Sequence, residues 1–208
     1  MTLQLQVERL MSGTSGAPEL KLQLGCGTNL LAGWLNTDSA PLPGADYLDF
    51  TKPFPFFDEV FAAVFCEHTI EHIEKSDAAR MIGEVFRVLR PGGQFRIVTP
   101  SLETFCRLML EPTSAPSQKY LEFVRRFSNN PNAGSADAMN LIFYGHGHRH
   151  IYTAAELAQL VQQAGFSSAR VMAAGTYGNA VFQGIDGHGR VVGEDINAIE
   201  AFALEAVK

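Results

Sequence analysis

The sequence is poor in cysteine, in charged residues and in long apolar runs. Its 208 residues include 3 cysteines, and 18% of the chain is charged. Cys26, Cys66 and Cys106 are odd in number and far apart, which excludes a disulfide framework, and no CxxC pair suggests a structural zinc site. The sequence contains no run of about 18 apolar residues, so it predicts no membrane-spanning helix. The N-terminus has neither a basic start nor a continuous apolar core, so we predict a cytoplasmic protein without a secretory signal.

Basic residues are outnumbered by acidic ones. The chain has 16 Lys+Arg against 22 Asp+Glu, a formal net charge of −6. This balance disfavours a nucleic acid partner, because binding to phosphates requires a positive field, but it allows a small polar substrate. The length is sufficient for one sizeable core, so we divide the chain into an N-terminal arm, residues 1–19, and a single domain, residues 20–208.

Short apolar runs alternate with helical segments or long connections, which predicts a mostly parallel sheet. The first six predicted strands along the chain cover residues 20–24, 34–38, 45–50, 61–66, 94–99 and 169–172. A seventh segment, 199–207, fits a helix or a strand, and we favour an antiparallel strand beside the sixth.

Helical spacing appears after the fourth and fifth predicted strands. The first helix has possible caps at Ser76 and Asp77 and should stop at Pro-Gly-Gly, 91–93. Residues 101–150 contain two predicted helices, 102–110 and 118–127, and form an insertion over the carboxyl edge of the sheet, where ligands of such sheets bind. A capping box of Thr153 and Glu156 opens a further helix.

A glycine turn follows the first predicted strand. Gly25-Cys26-Gly27 would let the backbone approach a ligand closely, although the pattern alone also fits a plain tight turn. The dinucleotide fingerprint needs another glycine where Leu30 stands, so a nicotinamide cofactor fits poorly. Asp38 closes the second strand, where it would accept both hydroxyls of a ribose or act as a turn residue.

Six ordered motifs, taken together, resemble the class I S-adenosylmethionine-dependent methyltransferases, and more narrowly the small branch related to the methyltransferase-11 group. They are LQLGCG (22–27), WLNTD (34–38), DFTKPFPF (49–56), FCEHTIEHI (65–73), VFRVLRPGGQFRIVTP (85–100) and HRHIYTAAELAQLVQQAGF (148–166). The resemblance covers residues 20–172. It implies an α/β, Rossmann-like sandwich whose mostly parallel seven-stranded sheet has an antiparallel last strand and a helical insertion after strand five.

The resemblance also implies S-adenosylmethionine as cofactor and a role for each matching residue. Asp38 would hold the ribose, and Asp49 would lie near the adenine or merely cap the following loop. The remaining cofactor contacts would come from the glycine turn and from the end of the fourth strand, namely Gly25, Cys26, Gly27, Cys66, Glu67 and His68. Eight residues separate Gly25 from Trp34, so the first helix of the family must be very short here.

Histidines supply the candidate catalytic groups. His68 to His72 matches the HxxEH pattern of inverted zincins, but we favour Glu71 and His72 as capping or pairing residues at a helix start. The alternating histidines 146, 148 and 150 fit a substrate-facing loop, a solvated loop or a metal site, and Tyr144 and Arg149 would accompany a substrate there.

A last histidine follows a glycine-rich stretch near the C-terminus. Asp186 and His188 would form an acid–base pair or, as we prefer, belong to a hairpin loop. We assign no metal to any of the histidines. The candidates for the general base are His68, His146, His148 and His188.

The predicted function is methyl transfer from S-adenosylmethionine to oxygen or nitrogen of a small polar acceptor, and the resemblance suggests a saccharide or a cell-envelope precursor. Two alternatives stay open: a non-catalytic S-adenosylmethionine-binding protein on the same fold, and a metal-dependent hydrolase that uses the histidine clusters. The oligomeric state, monomer or dimer, is also open.

Overall fold

A seven-stranded sheet forms the centre of the computed structural model, which describes residues 19–208. The predicted N-terminal arm therefore lies, but for its last residue, outside the described part of the chain. The strand order is β3-β2-β1-β4-β5-β7-β6, and the neighbours pair in parallel except β7, which is antiparallel to β5 and β6. The strands are β1 (Lys21–Leu24), β2 (Leu35–Asp38), β3 (Asp46–Tyr47), β4 (Phe61–Glu67), β5 (Leu89–Pro100), β6 (Ser168–Ala173) and β7 (Ala201–Val207). This confirms the predicted fold class, including the antiparallel last strand.

Seven α-helices join the strands in the described residues. They are α1 (Lys75–Val88), α2 (Leu102–Leu110), α3 (Ala115–Phe127), α4 (Ser135–Asn140), α5 (Ala154–Gln163), α6 (Gly189–Val192) and α7 (Glu194–Glu200). A π-helical turn, Leu141–Gly145, continues α4, and 3-10 turns cover Ile70–His72 and Ala180–Phe182. No helix in the described residues is long and apolar enough to cross a membrane.

The central strand β4 is buried on both faces, as its apolar run predicts. Val64 and Cys66 pack on the face covered by α1 and α5, while Ala63 and Phe65 pack on the opposite face with Trp34. The strand alternates its side chains between the two faces, so every position of such a strand must be apolar.

The insertion after β5 has an apolar core of its own. It leaves and rejoins the sheet at one point, because Ser101 bridges to Tyr152 and the amide of Leu102 donates to the carbonyl of Tyr152 at 3.0 Å. Ile196 of α7 joins the apolar side chains of α2, α3 and α4. The insertion is thereby attached at the carboxyl end of β5, the edge at which we predicted it.

Three local predictions were wrong in detail. The helix α1 begins at Lys75 after Glu74, so Ser76 and Asp77 lie inside its first turn and cap nothing. It ends at Val88, and the Pro-Gly-Gly segment belongs to β5. The third strand is reduced to Asp46–Tyr47, because the following residues turn towards the proline-rich loop. In addition, residues 25–34 of this chain contain turns and no helix.

Candidate active site

The glycine turn and Asp38 are joined directly. Gly25 and Gly27 adopt positive φ angles of 63° and 50°, a backbone conformation that disfavours side chains. The amide of Gly27 donates to Oδ2 of Asp38 at 2.9 Å, and the amide of Ala40 donates to Oδ1 at 2.9 Å. Cys26, whose amide donates to the carbonyl of Thr37 at 3.0 Å, lies between the two glycines. The parallel pairing of β1 and β2 thus brings four of the predicted cofactor residues together.

Asp49 lies in a local turn. Its Oδ1 accepts hydrogen bonds from the hydroxyl of Thr51 at 2.7 Å and from the Thr51 amide at 2.9 Å. These bonds lower the pKa of Asp49 below its usual range. The structure shows the loop-capping role that we gave as the alternative, and the contact with adenine stays a prediction.

The end of β4 carries three predicted residues in three environments. Cys66 is fully buried in the main core, and burial raises the pKa of its thiol. The carboxylate of Glu67 accepts from the amides of Gly187 (2.8 Å to the nearer oxygen) and His188 (3.1 Å). Burial raises the pKa of Glu67, and these amides oppose the shift. The third residue, His68, has a φ of +45°, which is uncommon for a non-glycine residue and occurs often at functional sites.

The segment 184–189 contacts both the end of β4 and the loop that follows the glycine turn. Besides its bonds to Glu67, it accepts a hydrogen bond from Asn29 Nδ2 at the carbonyl of Ile185 (3.2 Å). A Cβ added to Gly187 would lie 2.5 Å from the same Nδ2 atom, so glycine is needed for this close approach. The segment therefore connects the glycine turn to the end of β4.

A cavity of about 370 Å³ opens between the carboxyl edge of the sheet and the insertion. We call it the histidine-lined cavity, because five of the six histidines of the chain line it. The lining histidines are His68, His72, His146, His148 and His188. Two carboxylates, Glu71 and Glu200, also face it, and Tyr120, Phe123 and Phe127 of α3 contribute an apolar wall. Such a mixture of apolar surface and a few polar groups is typical of small-molecule sites.

Two of these histidines are paired with buried carboxylates. His68 Nδ1 lies 3.2 Å from Oε1 of Glu71, and His188 Nε2 lies 2.7 Å from Oε1 of Glu200. The rings of His68 and His188 are stacked with centroids 3.8 Å apart. Burial lowers the pKa of His68, but the carboxylates of Glu71, Glu67 and Glu200 together outweigh it, so that the pKa is raised. A histidine held by a carboxylate on one ring nitrogen is oriented to exchange a proton at the other.

Asp186 and His188 do not form the acid–base pair that the sequence analysis gave as an alternative to a hairpin loop. The carboxylate of Asp186 accepts from Arg96 Nε at 2.9 Å and from Nη2 at 2.5 Å, and both side chains are buried. His188 pairs with Glu200 instead. The preferred hairpin loop was wrong as well, since the segment leads into α6 and α7 rather than directly into β7.

In each of the two histidine motifs, HxxEH and the alternating one, the histidines do not form a single site. His68 precedes the 3-10 turn Ile70–His72, so His68 and His72 are not one turn apart on an α-helix as inverted zincins require. His146 and His148 line the cavity, whereas His150 turns away and pairs with Glu156, 3.0 Å from Nε2 to Oε2. The expected partners of the second motif, Tyr144 and Arg149, are exposed outside the cavity.

Glu200 and the aromatic residues of α3 are site residues that sequence reasoning missed. Glu200 ends α7 in the segment whose secondary structure was ambiguous, and no local signal marks it as the partner of a histidine twelve residues earlier. Arg96 was also missed, although a charged residue inside an otherwise apolar strand is a signal in itself, because buried charges are almost always paired.

Comparison with known proteins identifies the family. A family model described as a methyltransferase domain matches residues 7–170. The chain belongs to this methyltransferase family. The match covers most of the chain and confirms the resemblance read from the ordered motifs. No curated protein matches the methyltransferase in sequence.

Solved structures agree with the methyltransferase in fold. An S-adenosylmethionine-dependent methyltransferase from Mesorhizobium loti has a TM-score of 0.52 at 14% identity, with 90% of each chain covered. One from Thermotoga maritima has a TM-score of 0.51 at 16% identity, with 90% of this chain and 81% of that chain covered. One from Archaeoglobus fulgidus has a TM-score of 0.50 at 13% identity, with 98% and 90% covered. At such identities the likeness establishes the class I fold, and the chemistry has to be argued from the site.

Proposed function

We propose that the protein binds S-adenosylmethionine at the glycine turn and transfers its methyl group to oxygen or nitrogen of a small polar acceptor in the histidine-lined cavity. The observation that carries the proposal is the position of this cavity. It opens at the end of β4 beside His68, one residue from the Glu67 carboxylate that is linked to the glycine turn through the segment 184–189.

The residues at the glycine turn fit a nucleoside. Each oxygen of Asp38 accepts a single backbone amide and keeps a lone pair that can accept a ribose hydroxyl. A Cβ added to Gly27 would meet no atom within 4 Å, so there is open space beside the turn. The carboxylate and the open glycine surface are adjacent, as a ribose-bearing ligand requires.

When bound, S-adenosylmethionine supplies a methyl group on a sulfonium, which the acceptor atom displaces directly. The task of the protein is therefore to align the acceptor and to accept its proton. His68 lines the cavity, its Nε2 is buried without a hydrogen-bond partner, and Glu71 holds the opposite ring nitrogen. We assign His68 as the proton acceptor and Glu71 as its positioning residue, with His188 and Glu200 as a second pair next to them.

The apolar wall of α3 limits the acceptor to a partly apolar or flat molecule with a polar group that reaches the histidines. The net charge of −6 disfavours a nucleic acid acceptor. A saccharide or a cell-envelope precursor stays the suggestion of the family resemblance.

Calorimetric titration with S-adenosylhomocysteine tests the cofactor site. We expect micromolar binding by the wild-type chain and at least tenfold weaker binding by Asp38→Ala, because the variant loses the ribose acceptor. Asp77→Ala, on the surface of α1, is the control and should bind like the wild type. Failure of the wild type to bind would overturn the proposal.

A screen of hydroxyl and amine acceptors, with S-adenosylhomocysteine release as readout, tests the transfer step. His68→Gln should lower kcat by about 10²- to 10⁴-fold and change the affinity for S-adenosylhomocysteine by a much smaller factor. His150→Gln, from outside the cavity, should retain full activity. Binding without turnover of any acceptor would favour the non-catalytic alternative.

A further inference from the structure

Three metal-ligating side chains converge at one wall of the histidine-lined cavity. One carboxylate oxygen of Glu71 and one ring nitrogen each of His72 and His148 all lie within 4.8 Å of one another. The first two residues follow β4, and the third lies near the end of the insertion. The group thus combines residues from both histidine motifs.

His148 is held in the orientation of a metal ligand. Its Nδ1 donates a hydrogen bond to the carbonyl of Ile142 at 2.5 Å, which places the proton on Nδ1 and leaves the lone pair on Nε2. Ligating histidines almost always donate their second ring nitrogen in this way, which fixes the tautomer and the ring. The ring of His72 meets that of His148 edge to face with centroids 4.7 Å apart.

Glu71 carries a fully buried carboxylate. Oε2 accepts from the hydroxyl of Thr99 at 3.0 Å, and Oε1 lies 3.2 Å from Nδ1 of His68. Its ion-pair contact in the described residues is His68, and no lysine or arginine there compensates its charge. A buried carboxylate of this kind requires a cation or further donors.

We propose that Glu71, His72 and His148 bind a divalent transition-metal ion such as Zn²⁺ at the wall of the histidine-lined cavity. Two imidazoles and one carboxylate suit zinc, cobalt or ferrous iron better than magnesium or calcium, which prefer oxygen ligands. Bonds of about 2.0–2.1 Å place tetrahedral ligands about 3.4 Å apart, so donors within 4.8 Å of one another must approach by up to about 1.4 Å. His72 is exposed, and rotation of its side chain provides this movement.

Three protein ligands leave at least one coordination position open towards the cavity. An ion there would polarise an oxygen or nitrogen of the acceptor and assist the loss of its proton. This role rests on the proposed function, but binding of the ion does not. The inference also departs from our sequence analysis, which assigned no metal, because the sequence gives no indication that His148 meets Glu71 and His72.

The test is a titration of the chelator-treated full chain with Co²⁺, read as visible ligand-field absorption, with metal content measured after dialysis. We expect one cobalt per chain and displacement by Zn²⁺. His72→Ala and His148→Ala should each weaken binding by at least about 10- to 100-fold. His150→Ala, a histidine of the same loop that pairs with Glu156, should bind like the wild type.

Thermal melting by circular dichroism shows whether each variant is folded. If His148→Ala does not fold, His72→Ala decides the test, because His72 is exposed and its loss should not affect folding. No cobalt binding, or cobalt binding that survives both substitutions, would overturn the inference. Titration of the metal-free chain with S-adenosylhomocysteine separates the two proposals. Cofactor binding without a metal site would leave the proposed function intact, and cobalt binding without cofactor binding would leave the metal site.

Discussion

The two glycines of the turn after β1 share a backbone conformation but differ in what surrounds them. A Cβ on Gly25 would lie 2.0 Å from the hydroxyl oxygen of Thr69, whereas a Cβ on Gly27 would face open space. Thr69 cannot move freely, because its hydroxyl donates to the carbonyl of Glu67 at 2.9 Å. Gly25 is therefore required for packing against the end of β4, and Gly27 for the approach of a ligand.

Alanine substitutions should separate these two roles. Both variants adopt a left-handed backbone, which costs a side chain about 1–2 kcal/mol. Gly25→Ala should lower the free energy of unfolding by more than Gly27→Ala, because it also displaces Thr69. Gly27→Ala should instead weaken S-adenosylhomocysteine binding, since its methyl group fills the open space. Urea unfolding and calorimetry measure the two effects, and equal losses of stability would contradict the assignment.

Two histidines of one loop also have different surroundings. His148 faces the cavity, and His150 two residues later pairs with Glu156 on α5. Their alternation in the sequence does not predict where either side chain lies, because residues 146–150 form no regular strand.

At the scale of the element, two helix starts with similar sequences also differ in structure. Thr153 and Ser76 both look like N-caps in the sequence. Thr153 is one, since its hydroxyl accepts from the amide of Glu156 at 3.1 Å, but α1 already begins at Lys75, where the amides of Asp77 and Ala78 donate to the carbonyl of Glu74 at 2.9 Å. The chain leaving the 3-10 turn Ile70–His72 reaches Glu74 in an extended conformation and starts the helix there.

Thr153→Ala should lower the free energy of unfolding by about 1 kcal/mol, because the amide of Glu156 loses its acceptor. Ser76→Ala should be neutral or slightly stabilising, because alanine has the higher helix propensity and no cap is lost. Chemical denaturation of both variants checks this pair. A cost for Ser76→Ala as large as that for Thr153→Ala would mean that α1 begins later than described.

The Pro-Gly-Gly segment after α1 ends no strand and is part of β5. As a helix stop signal it is genuine, since α1 ends at Val88, but the chain continues directly as β5 and pairs with β4. The register shifts between Phe61 and Ala63, so the extra residues of β5 form an irregularity in which Gly92 takes a φ of +74°. Irregularities of this kind accommodate glycine and proline inside a strand.

Across the whole molecule, one buried arginine ties the sheet to the segments that follow β6. Arg96 of β5 is fully buried and binds Asp186 as well as Glu205 of β7, 2.7 Å from Nη1 to Oε1. Tyr177 lies over its guanidinium, with the ring centroid 4.6 Å away. Asp186 in turn fixes the segment 184–189 that contacts Glu67 and Asn29.

Arg96→Met should lower the free energy of unfolding by about 3–5 kcal/mol, because it leaves two buried carboxylates without their cation. It should also weaken S-adenosylhomocysteine binding, since the segment 184–189 loses its anchor. Arg80→Met, which removes an exposed ion pair with Asp77, should change stability by at most about 1 kcal/mol. Urea unfolding with calorimetry gives both quantities, and a stable, fully binding Arg96→Met chain would refute the anchoring role.

The sequence by itself determined the order of the strands, the insertion after β5 and the assignment of the glycine turn and Asp38 to one predicted cofactor site. These features depend on local periodicity, on turn chemistry and on parallel neighbours whose carboxyl ends share one edge. Only the tertiary structure decided that Asp186 binds Arg96, that His188 binds Glu200, and that His148 meets Glu71 and His72. A buried charge pairs with whichever opposite charge the packing brings near, and that packing joins segments far apart in the chain, which no local pattern encodes.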